Sequence, residues 1–152
     1  NQIVLASILQ GDSGIPNERK ASLGETLTQS HLACYEVPAC RRGEYLKVID
    51  RISGSEYTIM DEILSKQLEP MEAFVGRLIT HEEATLILPG WSKLEFWKRK
   101  RVFEHIRSAF SEMGANLEDA EEMNVLLKRQ PERILGAIAK FDALHASSGT
   151  AR

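Results

Sequence analysis

The sequence predicts an all-α fold, a compact bundle of about six or seven helices with a less regular N-terminal third. Three observations carry this. Apolar residues after position 70 recur at i, i+3 and i+4 spacing, as one buried stripe per helix requires. Proline, glycine and Ser/Thr-x-x-Glu signals stand where such helices would start and stop. The composition, 152 residues with 43% apolar and 27% charged, is that of one globular domain able to bury about two-thirds of the surface its unfolded chain exposes.

Residues 2–10 are apolar without a clear period and read equally as a short helix or a strand. Residues 11–24, with Gly11, Gly14, Pro16 and Gly24, read as a long loop. The segment 1–24 therefore precedes a single helical domain over 25–146. Residues 25–37 fit a helix that buries Leu27, Leu32 and Tyr35 and stops before Pro38, because the residue preceding a proline is pushed out of the helical region. Across 44–68, Leu46, Ile49 and Ile52 have helical spacing, whereas Ser53-Gly54-Ser55 between β-branched runs also fits a short β-hairpin near 45–60. Helix, cap at Ser55 and second helix is the preferred reading, since Met60, Ile63, Leu64 and Leu68 carry the pattern past strand length.

Pro70, at a first helical position, introduces Met71, Phe74, Val75, Leu78 and Ile79 as the buried stripe of an amphipathic helix. Thr80 with Glu83 forms a capping box for a short helix ending before Pro89-Gly90, and Ser92 with Glu95 forms another. The second box opens a long helix burying Phe96, Phe103, Ile106, Phe110 and Met113 and ending at Gly114. Asn116 caps the next helix, which carries Leu117, Ala120, Met123 and Leu127. Its acids Glu118, Asp119, Glu121 and Glu122 lie at the end the helix dipole favours. Pro131 opens the last helix, burying Ile134, Leu135, Ile138 and Phe141, and the tail 147–152 is expected to fray.

A formal net charge of −3 gives no whole-surface attraction for nucleic acid or anionic membrane, so binding of that kind needs a local patch. No stretch approaches the roughly 18 apolar residues of a membrane span. Cys34 and Cys40 are too few for a disulfide framework, and their spacing is not that of a zinc knuckle or redox pair, although a local bridge is sterically open. A soluble, reduced, cytoplasmic protein is the expectation. Asn1 stands where a methionine would, which reads as a processed or trimmed start.

A local patch is present. The run 93–101 packs Lys93, Lys98, Arg99, Lys100 and Arg101 with Phe96 and Trp97 into nine residues, and 93–107 holds six bases against two acids. Helical spacing places these bases off the Phe96, Phe103, Phe110 stripe. The candidate contact residues are Trp91, Lys93, Trp97, Lys98, Arg99, Lys100 and Arg101. Three uses fit them: phosphate contact with base stacking, docking on an acidic protein partner, or a solvated face paired with the acidic helix that follows.

Other motifs are incomplete. Gly11-Asp12-Ser13-Gly14 with Ile15-Pro16 resembles the nucleophile segment of trypsin-like serine proteases, but only twelve residues precede Ser13. That family needs a histidine and an aspartate far upstream, and the same tetrapeptide suits a flexible turn. His81-Glu82-Glu83 is half a zinc-protease signature, with Thr85 where the second histidine would stand. His31, Cys34 and Cys40 offer three soft ligands without a fourth; a buried thiol and a surface histidine are the simpler expectation. No phosphate-cradling glycine pattern occurs. Adjacent acids such as Asp61-Glu62 diverge by about 100° on a helix and do not face one substrate. The corner carrying Lys128, Arg129 and Arg133 loosely fits a helix-turn-helix, but the final helix is apolar beyond Arg133. No cofactor is implied. The leading expectation is a non-enzymatic interaction or regulatory protein that binds a partner with an acidic surface through the helix 92–107. Nucleic-acid binding by the same face comes second, and an enzyme whose site is assembled from distant residues third.

Overall fold

The computed structural model describes residues 30–81 and 84–149, with Gly24, Glu25 and Leu27 before them. The stretch 2–10, the Gly-Asp-Ser-Gly motif, nearly all of the loop 11–24 and the end 150–152 lie outside the described residues.

The expected all-α bundle is overturned, because residues 32–87 form a closed five-stranded β-barrel. The elements are β1 (Leu32–Arg41), β2 (Tyr45–Asp50), β3 (Glu56–Ile59), α1 (Leu64–Gln67), β4 (Ala73–His81), β5 (Ala84–Ile87), β6 (Ser92–Leu94), α2 (Phe96–Glu112), α3 (Ala120–Arg129) and α4 (Pro131–Gly149). Strands run in the order β1-β2-β3-β5-β4, and β4 returns to pair with β1, closing five strands into a barrel; β6 adds to β4 outside the ring. All pairings are antiparallel except that of β3 with β5, which meet only at Ile59 and Thr85.

Each wrongly expected helix has a local cause. The run after Pro70 satisfies helical spacing, but Ala73, Phe74, Val75, Gly76, Leu78 and Ile79 are all buried, on both faces of β4. A strand covered on both faces is continuously apolar and therefore matches any period. In β2, Leu46, Val48 and Asp50 are buried while Lys47 is exposed. That period of two belongs to a strand, and the hairpin near 45–60 is what forms. Pro38 does not stop a helix. It sits, exposed, in β1 where the register with β2 shifts between Glu36 and Ala39, a bulge being one of the few places a strand tolerates proline. The short helix expected after Thr80 gives way to β5 over 84–87, with His81 opposite Ala84, and Glu83 lies outside the described residues. Thr85 is buried, its hydroxyl 3.1 Å from that of Thr80.

Paired residues share a face of the sheet. Registers Tyr35↔Asp50, Tyr35↔Phe74, Ala33↔Gly76, Leu46↔Ile59 and Val48↔Tyr57 therefore assign one face to the barrel interior. An aromatic ladder runs through it. Tyr57 meets Tyr35 edge-on at 6.1 Å, Tyr35 stacks on Phe74 at 5.2 Å, and Phe74 meets Trp91 edge-on at 6.0 Å. Gly76 makes room for the last ring, because a Cβ there would stand 3.0 Å from Trp91 Cβ. Burial, and after it the charge of Asp50, pushes the Tyr35 hydroxyl far above its ordinary range; a backbone hydrogen bond at Leu78 pulls the other way.

The opposite face, with Cys34, Val75 and Leu94, is covered by the helices. Val102, Phe103, Ile106 and Phe110 of α2, Met123 and Leu127 of α3, and Ile134 and Ala137 of α4 complete one continuous core. Here the expected helices exist. Gly114 takes φ +83, and the bonds Ala115 N–H to Phe110 O (3.1 Å) and Gly114 N–H to Ser111 O (2.9 Å) form a Schellman cap. Pro131 is the first residue of α4. Several details shift, and Met113, expected in the buried stripe, is exposed. Glu95, not Ser92, precedes α2, and Ser92 belongs to β6. Asp119, not Asn116, caps α3, its Oδ1 accepting from the amides of Glu121 and Glu122 at 3.0 Å each. Leu135 is 57% exposed instead of buried. Among the described residues no helix is long and apolar enough to cross a membrane.

Candidate functional site

The basic run divides into residues that hold the fold and residues that face outward. Trp91 is half-buried at the end of the aromatic ladder. Lys93, on β6, pairs with Glu72. Desolvation pushes the Glu72 carboxyl up, but the Lys93 hydrogen bond, the Glu69 amide and the Lys93 charge outweigh it and leave the group below its ordinary range. Trp97 stacks on His145 of α4 with ring centroids 4.3 Å apart, and its indole N–H donates to Glu95. Lys98 is 8% exposed, its ammonium 2.5 Å from Asp142 of α4. With the edge-on contact of His105 and Phe141 at 5.9 Å, these groups dock α4 on α2. Lys98 heads the row Lys98, Val102, Ile106, and that i, i+4, i+8 spacing is the signal that it is buried.

The outward-facing group is Phe96, Arg99, Lys100 and Arg101. Phe96, expected in the stripe, is 77% exposed. Helical Cα–Cβ bonds tilt toward the N-terminus, so a side chain in the first position of α2 projects past the end of the helix. The Arg99 guanidinium lies 4.2 Å over its ring and donates to the Met71 carbonyl. Met71 is itself 59% exposed and holds φ +71. Arg101 is exposed with no ion-pair partner among the described residues.

Arg99 and Lys100 open onto a groove of about 470 Å³ between α2 and the β2–β3 turn, lined also by Phe103, Glu104 and Arg107 of α2 and by Glu36, Ile49, Asp50, Arg51 and Gly54 of the barrel. Buried Asp50 locks the turn by accepting from the Ile52 amide at 2.9 Å and the Ser53 hydroxyl at 2.8 Å. His31, expected at the surface, lies with its Nε2 3.6 Å from Asp50 Oδ2 and has little exposure. That distance is within ion-pair range but beyond a hydrogen bond, so the imidazole nitrogen is buried without a hydrogen-bond partner among the described residues. Arg107 ties helix to turn, donating to the Ile52 carbonyl at 3.0 Å. The ion pairs at the groove, Arg51–Glu36, Lys100–Glu104 and Arg107–Glu118, are all at 3.7 Å, each with at least one side chain about half or more exposed. Pairs of that kind hold weakly and can exchange for another carboxylate.

Arg51, Met71 and Arg107 were not among the sequence candidates. Arg107 has a sequence signal, since Arg99, Phe103 and Arg107 follow i, i+4, i+8. Arg51 and Met71 reach the site only through the barrel turn and the strand entry. Cys34 and Cys40 are free thiols. Burial, followed by the charge of Asp50, pushes the Cys34 thiol far up and keeps it protonated, which makes it a poor nucleophile. Among the described residues no three His, Cys, Asp or Glu side chains converge to hold a metal ion.

The class defined by this geometry is a small closed barrel braced by three helices, with an open groove between the two layers lined by four basic and three acidic side chains. Compared with known proteins, the chain matches no family model, no curated protein and no solved structure.

Proposed function

We propose that this chain is a non-enzymatic interaction or regulatory protein that binds an acidic segment of a protein partner along the outer face of α2. The observation that carries the reading is the groove, where Arg51, Arg99, Lys100 and Arg107 converge while Asp50, the most deeply buried of its acids, is already occupied by the turn. Aromatic and arginine side chains standing together on a surface are what protein interfaces use as anchors, and Phe96 with Arg99 supplies that pair. The contact set changes accordingly: Arg99, Lys100 and Arg101 stay in it, Arg51 and Arg107 join, and Trp91, Lys93, Trp97 and Lys98 leave it for the fold. A cytoplasmic location belongs to the same proposal and is supported by the two free thiols.

The test is fluorescence anisotropy with a labelled poly-glutamate peptide, an uncharged peptide, and single- and double-stranded DNA oligonucleotides, each titrated at low and physiological salt. Binding of the acidic peptide, weakened by Arg51→Glu and by Lys100→Glu, is the expected result. DNA bound more tightly than the peptide, with affinity falling steeply in salt, would move the face to nucleic acid, and binding of neither ligand removes the proposal.

A further inference from the structure

We infer that the acidic segment also carries one bulky apolar side chain, and that Phe96 and Met71 receive it; this rests on the reading of α2 as an acidic-segment-binding face. Phe96 and Met71 come from different parts of the chain, are 77% and 59% exposed, and are joined by one guanidinium. Arg99 covers the Phe96 ring and donates to the Met71 carbonyl, which fixes the spacing of the two apolar surfaces. Met71 is the one non-glycine residue with positive φ among the described residues. Its conformation is held from both sides. Its amide donates to Val37 O at 2.8 Å, the Val37 amide donates to Glu72 O at 2.9 Å, and the Glu72 amide donates to Glu69 O at 3.1 Å.

The fold thus places a bulky residue in a backbone region that disfavours it, and displays the side chain instead of burying it. Strain of this kind gathers where a residue contacts another molecule, and Met, Phe and Arg are enriched at the centre of interfaces. Charge selects the occupant. The apolar pair is bordered by Arg99 and, one turn from Phe96 along the same helix face, by Lys100, and both continue into the groove toward Arg51 and Arg107. An apolar anchor seated on Phe96 and Met71 therefore leads neighbouring carboxylates along the cations. A second copy of this chain, docked about a twofold axis through the same patch, would set those cations against themselves.

The experiment compares the labelled poly-glutamate peptide with the same peptide carrying a single phenylalanine, placed in turn at each end and in the middle. At one position or more the phenylalanine should tighten binding roughly tenfold. Phe96→Ser and Met71→Gly should each abolish that gain, Met71→Gly leaving the affinity of plain poly-glutamate nearly unchanged, with circular dichroism confirming that both variants are folded. Equal affinity of all peptides for the wild type, or a gain that survives both substitutions, overturns the inference and leaves the acidic-segment reading standing. Poly-glutamate that does not bind at all removes that reading, and this inference with it. A wild-type dimer in sedimentation velocity that Phe96→Ser converts to monomer overturns it in favour of a second copy.

Discussion

Replacing Met71 by glycine and by alanine measures the backbone cost of displaying that side chain. Both substitutions remove the same contacts beyond Cβ. Met71 is 59% exposed, so about two-fifths of a side chain worth about 2 kcal/mol when fully buried is lost in either case, roughly 0.8 kcal/mol. The two variants differ in the left-handed conformation at φ +71. An L-residue pays about 1–2 kcal/mol there, while glycine pays about 0.5–1 kcal/mol more in chain entropy on folding. Met71→Gly should therefore be more stable than Met71→Ala by about 0.5–1 kcal/mol and lie close to the wild type, the relieved strain offsetting the lost contacts. In a chain of this size that separates the two melting temperatures by about 1–4 °C. Urea denaturation followed by far-ultraviolet circular dichroism reads the difference directly. In an ordinary strand or helix alanine is the more stable of the two, so the sign alone decides. Alanine equal to or better than glycine would refute the left-handed conformation at 71 and the strain argument built on it.

Two further outcomes follow from the buried charges and hydroxyls. Asp142→Ala leaves the nearly buried Lys98 ammonium without its partner and should cost about 1–2 kcal/mol. Most of that should return when Lys98→Met is added, a coupling measurable in a double-mutant cycle; independent, additive effects would mean the pair does not hold α4. Folding raises both Cys34 and Tyr35 above their ordinary values of 9.0 and 10.0. Their contribution to stability is therefore complete below about pH 9 and falls as pH rises beyond it, because the unfolded chain then loses protons that the folded chain keeps. Denaturant unfolding between about pH 8 and 11 should show this decline, shallower in Tyr35→Phe, whereas a flat profile contradicts burial of the two groups.

The C-terminal half was legible because its helices bury one stripe each. Phe103, Ile106 and Phe110, Met123 and Leu127, and the stops at Gly114 and Pro131 stand where spacing and caps put them. The barrel was not. The apolar run from Phe74 to Ile79 satisfies the helical period only because β4 is buried on both faces, and Leu46, Ile49, Ile52 compete with the true alternation of Leu46 and Val48 in one short stretch. Strand pairing between 32–36 and 73–77 leaves no local mark that a single sequence displays. The same limit governs the site. Arg99 and Lys100 are legible as neighbours on a basic helix, but Arg51 and Met71 join them only after the barrel closes. The aromatics exchanged roles for a positional reason: Phe96, at the first turn of α2, overhangs the barrel, while Trp91 is drawn in beside Gly76.

Closing the ring also removes the edges on which β-proteins aggregate. The strand that stands outside the ring, β6, has an open edge but is only three residues long, with Leu94 buried and Lys93 outward and tethered to Glu72. A strand that short gives an incoming chain few backbone groups to pair with, and a lysine on it adds the cost of burying a charge. Lys93, counted at first among the residues that attract a partner, is thus better placed to turn away the wrong one.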